Sequence, residues 1–156
     1  MESWRTVAAV AGVVLVAIYA IGSGFWVNSN PGWYYSLNRP SWQPPSWIFG
    51  IIWPYNFIML GVASFVVSRN LSRTLVLTWL AFFALSVSAA LLWSYLFYSP
   101  HNLVGAAIAL VTAAILTLPI TIITFRASIG YGLALLPYQI WVAIASSIAV
   151  GYAIKN

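Results

Sequence analysis

The chemistry open to this chain rests on aromatic rings. Nine Trp, nine Tyr and eight Phe stand among 156 residues, against one His, one acidic residue and no Cys. Glu2 is the only carboxylate side chain. No acid–base pair, catalytic triad or phosphate-cradling glycine loop can be assembled from that inventory. A metal centre needs several ligands, and His101 with Glu2 and no thiolate does not supply them. Ser86, Ser88, Ser94, Ser146 and Ser147 have no base partner and read as hydrogen-bond donors to backbone carbonyls or neighbouring helices. What remains is aromatic contact, stacked or edge-on, each such contact giving ~0.5–1.5 kcal/mol beyond burial. The indole N–H and phenol O–H keep polar handles.

The rings are densest between Trp33 and Trp53, where Trp42, Trp47, Phe49 and Trp53 are interleaved with Pro40, Pro44 and Pro45. Proline fixes φ, removes a donor and restricts the residue before it, so this stretch should be stiff and extended. Asn30-Pro31-Gly32 is a turn signal. Trp33 to Leu37 is expected to form a short interfacial helix, and Ser46 to cap the helix that follows. A membrane-interface belt uses aromatics but has no need of prolines between them. The segment therefore reads as a preorganised lid over a binding cavity. Arg39, beside the lid, either pairs with a ligand carboxylate or faces anionic lipid. His101 is the only histidine; it sits in the Ser99-Pro100-His101-Asn102 turn and reads as a solvated loop residue, with a ligand to a bound metal-containing group as the alternative.

These groups need a frame, and composition says which. The chain is 63% hydrophobic and 4% charged, with mean hydropathy +0.95, whereas a soluble domain carries about 25% charged residues. The bilayer is the natural solvent. Five apolar segments are long enough to span it at roughly 20 residues each: Arg5–Val27, Trp47–Val67, Arg73–Tyr98, Leu103–Phe125 and Ile129–Ile154. The expected fold is an all-α membrane protein, one five-span bundle over residues 1–156 with a long Trp/Pro-rich first loop. Short later connections make consecutive spans antiparallel neighbours. The first apolar run is too long for a signal-peptide core and reads as a retained helix. The net charge of +5 is spread singly, which argues against nucleic acid as a partner. Without an internal repeat, an inverted-repeat transporter is disfavoured.

Arg5, Arg69, Arg73 and Arg126 fall on one side of the bundle, Arg39 and Lys155 on the other. The positive-inside rule then expects the amino terminus inside, and the first loop and carboxy terminus outside. Pro54, Pro119 and Pro137 lie within spans and should kink them or sit near an end; kinks at Pro54 and Pro137 would open space beside Trp53 and Trp141. Ala8-x-x-x-Gly12 and Ala84-x-x-x-Ser88 are close-approach pairs, the second expected at a homodimer face. Val150 to Lys155 fits the loose apolar–Tyr–Lys pattern proposed for sterol contact, a pattern that many helix ends match by chance.

Pro40-Ser41-Trp42-Gln43-Pro44-Pro45, followed by Phe49-Gly50-x-x-Trp53, resembles the signature of the TspO/MBR family, the tryptophan-rich sensory and translocator proteins. Leu92-Trp93-Ser94-Tyr95-Leu96-Phe97-Tyr98 resembles that family's third-helix ending, and Leu136-Pro137-Tyr138-Gln139-Ile140-Trp141-Val142 its fifth-helix motif. The resemblance covers essentially the whole chain. It implies a five-helix bundle, usually homodimeric, with a cavity that is closed by the first loop. That cavity would take tetrapyrroles such as protoporphyrin IX or haem, and in some members sterols or aromatic drug-like molecules. No cofactor is required; the tetrapyrrole is the ligand. The implied ligand-binding residues are Trp33, Trp42, Trp47, Phe49, Trp53, Trp93, Tyr138 and Trp141, with Trp53 and Trp141 as cavity walls. The lid frame would be Pro40, Pro44, Pro45 and Arg39. The resemblance implies a binding or sensory role linked to stress or tetrapyrrole signalling; the alternatives are transport of porphyrin or sterol, and light-dependent porphyrin breakdown through the two wall tryptophans. The last is the one enzymatic route this inventory leaves open. Ala90, Ala109 and Ala149 stand where many members carry Asn, Asp and Asn, which implies a drier cavity with weaker polar discrimination.

Overall fold

A bilayer core offers no water to backbone amides, so an apolar chain there must bond internally, as helices do. The computed structural model describes residues 2–156 and contains α1 (Ser3–Phe25), α2 (Pro31–Ser36), α3 (Ser46–Asn70), α4 (Arg73–Tyr98), α5 (Leu103–Ala127) and α6 (Ile129–Lys155). All but α2 are long and apolar enough to cross a membrane. At 23 to 27 residues they run about 35–40 Å, longer than the ~30 Å hydrocarbon core. This is a multi-pass integral membrane protein with a five-helix bundle.

Local chemistry explains where the elements start. The loop helix begins at Pro31 rather than Trp33, because Pro31 presets φ at the first helical position and the Asn30 side chain accepts from Trp33 N at 3.2 Å. Ser46 is not a cap, contrary to expectation. Pro45 holds that position at φ −57°, ψ 148° without a side-chain cap, so the chain leaves its proline run directly into the helix and Ser46 becomes the first helical residue. α3 also runs three residues past Val67, through the polar Ser68, Arg69 and Asn70.

α1 packs on α3 and α4, α4 on α5, α5 on α6, and α6 returns to α3, which closes a ring of five helices. Hydrogen bonds join each of these pairs. Ser64 Oγ donates to Ala9 O (α3 to α1, 3.0 Å) and Ser94 Oγ to Ser23 O (α4 to α1, 2.9 Å). Ser86 Oγ donates to Ala113 O (3.2 Å) and Trp79 Nε1 to Thr124 Oγ1 (3.1 Å), joining α4 to α5. Ser146 Oγ donates to Leu110 O (3.1 Å) and Gln139 Nε2 to Ala114 O (3.2 Å), joining α6 to α5. Tyr55 Oη donates to Ala134 O at 2.6 Å (α3 to α6), one turn before Pro137. α3, α5 and α6 continue through Pro54, Pro119 and Pro137.

Ala8 and Gly12 are both buried, so that small pair serves packing within the bundle; a Cβ on Gly12 would overlap the Ser64 hydroxyl. Arg5 does more than carry a topological charge. Its Nη1 donates to Ser68 O (2.6 Å), Leu71 O (2.8 Å) and Arg69 O (3.3 Å) at the end of α3. Cations at helix carboxy termini are favoured by the macrodipole and cap orphan carbonyls.

Two outcomes are expected in thermal unfolding of the detergent-solubilised protein. Arg5→Ala should destabilise by about 1–3 kcal/mol, the scale of charged hydrogen bonds lost. Gly12→Val should cost a similar ~1–3 kcal/mol through overpacking, whereas a valine at the exposed Gly50 should cost less.

Candidate ligand-binding site

Positions 49, 53 and 57 recur at helical spacing, which places Phe49, Trp53 and Phe57 along one stripe of α3. α6 answers with Tyr138 and Trp141 one turn apart, and α1 contributes Tyr19. Trp141 meets Phe49 edge-on at 5.0 Å between centroids and Trp53 at 6.4 Å with perpendicular planes. Trp53 stacks on Phe57 at 5.5 Å. Tyr19 packs against Trp53, Phe57 and Tyr138 at 5.9, 5.2 and 6.4 Å, and Tyr138 Oη donates to Tyr19 Oη at 3.1 Å. Four of the residues singled out in the sequence, Phe49, Trp53, Tyr138 and Trp141, thus form one wall. Tyr19 and Phe57 complete it without having been foreseen. The rings fill the space they were expected to line, with Tyr138 1% and Trp141 5% exposed. Two open grooves, of about 410 and 450 Å³, lie instead between α5 and α6 and between α1 and α4.

A second ring cluster lies under the lid. Trp33 stacks face to face on His101 at 3.6 Å and meets Phe97 edge-on at 5.6 Å. Tyr34 contacts Phe97, Tyr98 and Tyr152 at 6.0 to 6.3 Å. Trp93 lies 6.2 Å from Phe97 and 6.3 Å from Tyr98, and packs against the main core as well as this cluster. It therefore bridges the two. His101 occupies the left-handed region at φ 57°, and its ring belongs to the edge of the lid.

The lid is fastened to the last turns of α6. Pro40 is buried and sits with Trp42 over Gly151, where a Cβ would come within 2.7 Å of Pro40 Cγ and 2.9 Å of Trp42 Cζ2. Trp42 Nε1 donates to Ser147 Oγ at 3.1 Å, and Tyr152 Oη to Gln43 Oε1 at 2.6 Å. Asn38 N donates to Asn156 Oδ1 (2.9 Å), Asn156 Nδ2 returns a bond to Asn38 O (3.2 Å), and Lys155 Nζ reaches Arg39 O (3.5 Å). Pro44 is half-buried, while Pro45 and Arg39 are exposed. Trp47 is 66% exposed and makes no ring contact with either cluster. Tyr152 is buried beneath the lid at 4% exposure, so the sterol-like pattern at the end of α6 does not present its tyrosine to lipid.

Among the described residues, the only buried side-chain polar atoms without a hydrogen-bond partner are Trp93 Nε1, Trp141 Nε1 and both polar atoms of Asn56. Such a buried, unpaired group costs about 1–3 kcal/mol. Other indoles in the fold are paired, Trp79 with Thr124 and Trp42 with Ser147. Sequence reasoning passed over Asn56, although the signal was there: it is the one Asn well inside a span, and intramembrane polar residues mark functional sites. The bundle interior thus holds two unspent indole donors and one unspent carboxamide.

The lid seat is testable. Gly151→Val should push Pro40 and Trp42 off α6 and speed limited proteolysis within residues 28–45 severalfold. Unchanged cleavage would show that Gly151 does not seat the lid.

The family model described as the TspO/MBR family matches residues 6–154. Protein CrtK of Rhodobacter capsulatus is 30% identical over 87% of this chain and 86% of its own length. The tryptophan-rich protein TspO of Archaeoglobus fulgidus is 32% identical over 100% of this chain and 99% of its own. The human translocator protein is 24% identical over 82% and 77%. With the lid, the paired Trp53 and Trp141 and the five-helix ring all in place, this chain belongs to the TspO/MBR family.

Proposed function

We propose that this protein is a membrane receptor for a flat tetrapyrrole of the protoporphyrin IX or haem type, held inside the bundle beneath its first-loop lid. The observation that carries the reading is the pair of unpartnered indole donors, Trp93 Nε1 and Trp141 Nε1, buried among ring walls. A tetrapyrrole presents a wide π-surface to such walls, and its peripheral carboxyl groups can accept from indole N–H groups. Cationic groups would also favour those carboxylates, and Lys155 and Arg39 lie together at the lid, with Lys155 Nζ donating to Arg39 O at 3.5 Å. The names of two relatives, tryptophan-rich sensory protein from Cereibacter sphaeroides and translocator protein from human, fit a role in sensing or handing on a small ligand.

The same reading puts the amino terminus inside and the lid outside, and sets a second copy against the outer face of α4, where Ser88 is exposed beside the half-buried Ala84. The chain has no native Cys, so single cysteines report cleanly. Ser41→Cys should be labelled from outside by a membrane-impermeant maleimide, and Ser72→Cys only after permeabilisation; the reverse pattern would invert the orientation.

Binding itself is read by tryptophan fluorescence quenching with protoporphyrin IX. Saturable quenching at micromolar ligand is expected. Trp141→Phe and Trp93→Phe keep the ring faces but remove the donors. Each should weaken affinity by about 3–10-fold, the scale of one hydrogen bond. Linear, non-saturable quenching in the wild type would rule out the tetrapyrrole.

A further inference from the structure

Two grooves of nearly equal size open on the outer surface of the bundle, and they differ in charge. The groove between α5 and α6 is lined by apolar residues and Thr112. Lys155, next to it in the chain, is turned to Arg39 O. The groove between α1 and α4, about 450 Å³, has Arg73 at one end with Ser3 and Trp4. From there it runs between Ala8 and Ala11 on α1 and Leu77 and Leu80 on α4. The rise from Ser3 to Ala11, or from Arg73 to Leu80, is about 10–12 Å. That is most of one leaflet's share of a ~30 Å hydrocarbon core. The groove is thus an apolar slot, one leaflet deep, with a cation at its polar end.

Arg73 has no carboxylate to meet. Glu2 is the only acidic residue of the chain, and its carboxylate accepts from Trp4 Nε1 at 2.8 Å and Arg5 Nε at 3.3 Å. Among the described residues, Arg5 with Glu2 is the one ion pair. Arg5 is itself spent on the carbonyls that end α3. Two helix starts add to the positive field. Ser3 and Arg73 are the first residues of α1 and α4, so both positive helix ends, with their orphan first-turn amides, lie at the mouth of the groove. Neither first turn holds an acidic residue, and α1 has no side-chain cap. The mouth suits an anion and the slot behind it suits a hydrocarbon chain. An anionic lipid carries both in one molecule.

We propose that the groove between α1 and α4 binds one anionic phospholipid, its phosphate at Arg73 and one acyl chain along Leu77 and Leu80. Basic pockets between membrane helices recognise anionic headgroups in this way. The inference does not rest on the tetrapyrrole reading, because no residue of the groove belongs to the ring wall or the lid. On α4 the row Arg73, Leu77, Leu80 continues at helical spacing to Ala84 and Ser88. The groove therefore stops one turn short of the face assigned to a second copy, and the lipid flanks that contact.

Native mass spectrometry of the delipidated protein in detergent tests this with three probes: palmitoyl-oleoyl phosphatidylglycerol, phosphatidylcholine with the same chains, and glycerophosphoglycerol, the headgroup without chains. The wild type should retain phosphatidylglycerol about fivefold more tightly than phosphatidylcholine and should not retain the bare headgroup. Arg73→Gln should bring that preference below about twofold. Arg126→Gln, at an exposed arginine outside the groove, should leave it intact. Ala11→Trp should block the slot and weaken both lipids. Equal binding of the two lipids by the wild type would overturn the proposal, and this comparison needs no variant. A preference that survives Arg73→Gln would overturn it too, as would an equal loss in Arg126→Gln, the mark of diffuse attraction to basic residues. Retention of the bare headgroup as tightly as the lipid would make the mouth a phosphate-ion site and remove the lipid. A wild-type dimer that takes up neither lipid, and that Ala11→Trp splits into monomers, would assign the groove to a second copy instead.

Discussion

The absence of water around the spans governs this molecule. Every polar group in the bundle must find its partner within the protein, and lipid gives the helices no hydrophobic reason to associate. The ring of five helices therefore depends on short polar clasps and close contacts between small residues. Each clasp is modest, ~0.6 kcal/mol on average in a membrane, but the set is closed. Ser64 ties α3 to α1, Ser94 ties α4 to α1, Ser86 and Trp79 tie α4 to α5, Gln139 and Ser146 tie α6 to α5, and Tyr55 ties α3 to α6. Small residues let these bonds form: Ala106, Ala107, Ala109 and Ala113 are all buried on α5.

Within that ring α6 has two tasks. Its middle supplies Tyr138 and Trp141 to the wall, and its last turns supply Ser147, Gly151, Tyr152, Lys155 and Asn156 to the lid. Trp141 and Ser147 are less than two turns apart. Any movement of Trp141 would therefore be made on the helix that seats the lid. Trp93 makes a parallel connection from α4, since it packs against both the main core and the sub-lid cluster. Lid and wall are thereby mechanically adjacent without sharing a residue.

The fold was legible because its signals are long and redundant. Five apolar runs, short polar connections and a proline-dense loop survive errors of two or three residues, such as those at Val67 and Phe125. The wall was legible where rings recur at helical spacing, as with Phe49 and Trp53. What the sequence could not show is which face each ring takes. Trp47 and Trp42 look alike in the chain, yet Trp42 finds Ser147 while Trp47 lies 66% exposed on the first turn of α3. Tyr152 reads as an interfacial residue and is instead drawn in by Gln43. Tyr19 and Phe57 carry no distinguishing motif, and their membership of the wall is a tertiary fact. Ser46 was misread because capping preferences assume a free choice of the preceding residue, and Pro45 removes it.

The interior is also sparing in polarity. Ala90, Ala109 and Ala149, which the family resemblance sets against Asn, Asp and Asn, are buried at 2%, 6% and 4% exposure. A methyl group there neither demands nor offers a hydrogen bond, so those positions now contribute packing alone. Among the described residues, the buried side-chain polar atoms left without a partner are those of Trp93, Trp141 and Asn56. Two of these groups only donate, and they sit on opposite sides of the bundle, on α4 and α6; the third, on α3, can do both. With so few unspent polar groups, the bundle interior is organised chiefly by packing and ring contacts, and each of the three groups stands alone rather than in a hydrogen-bonded network.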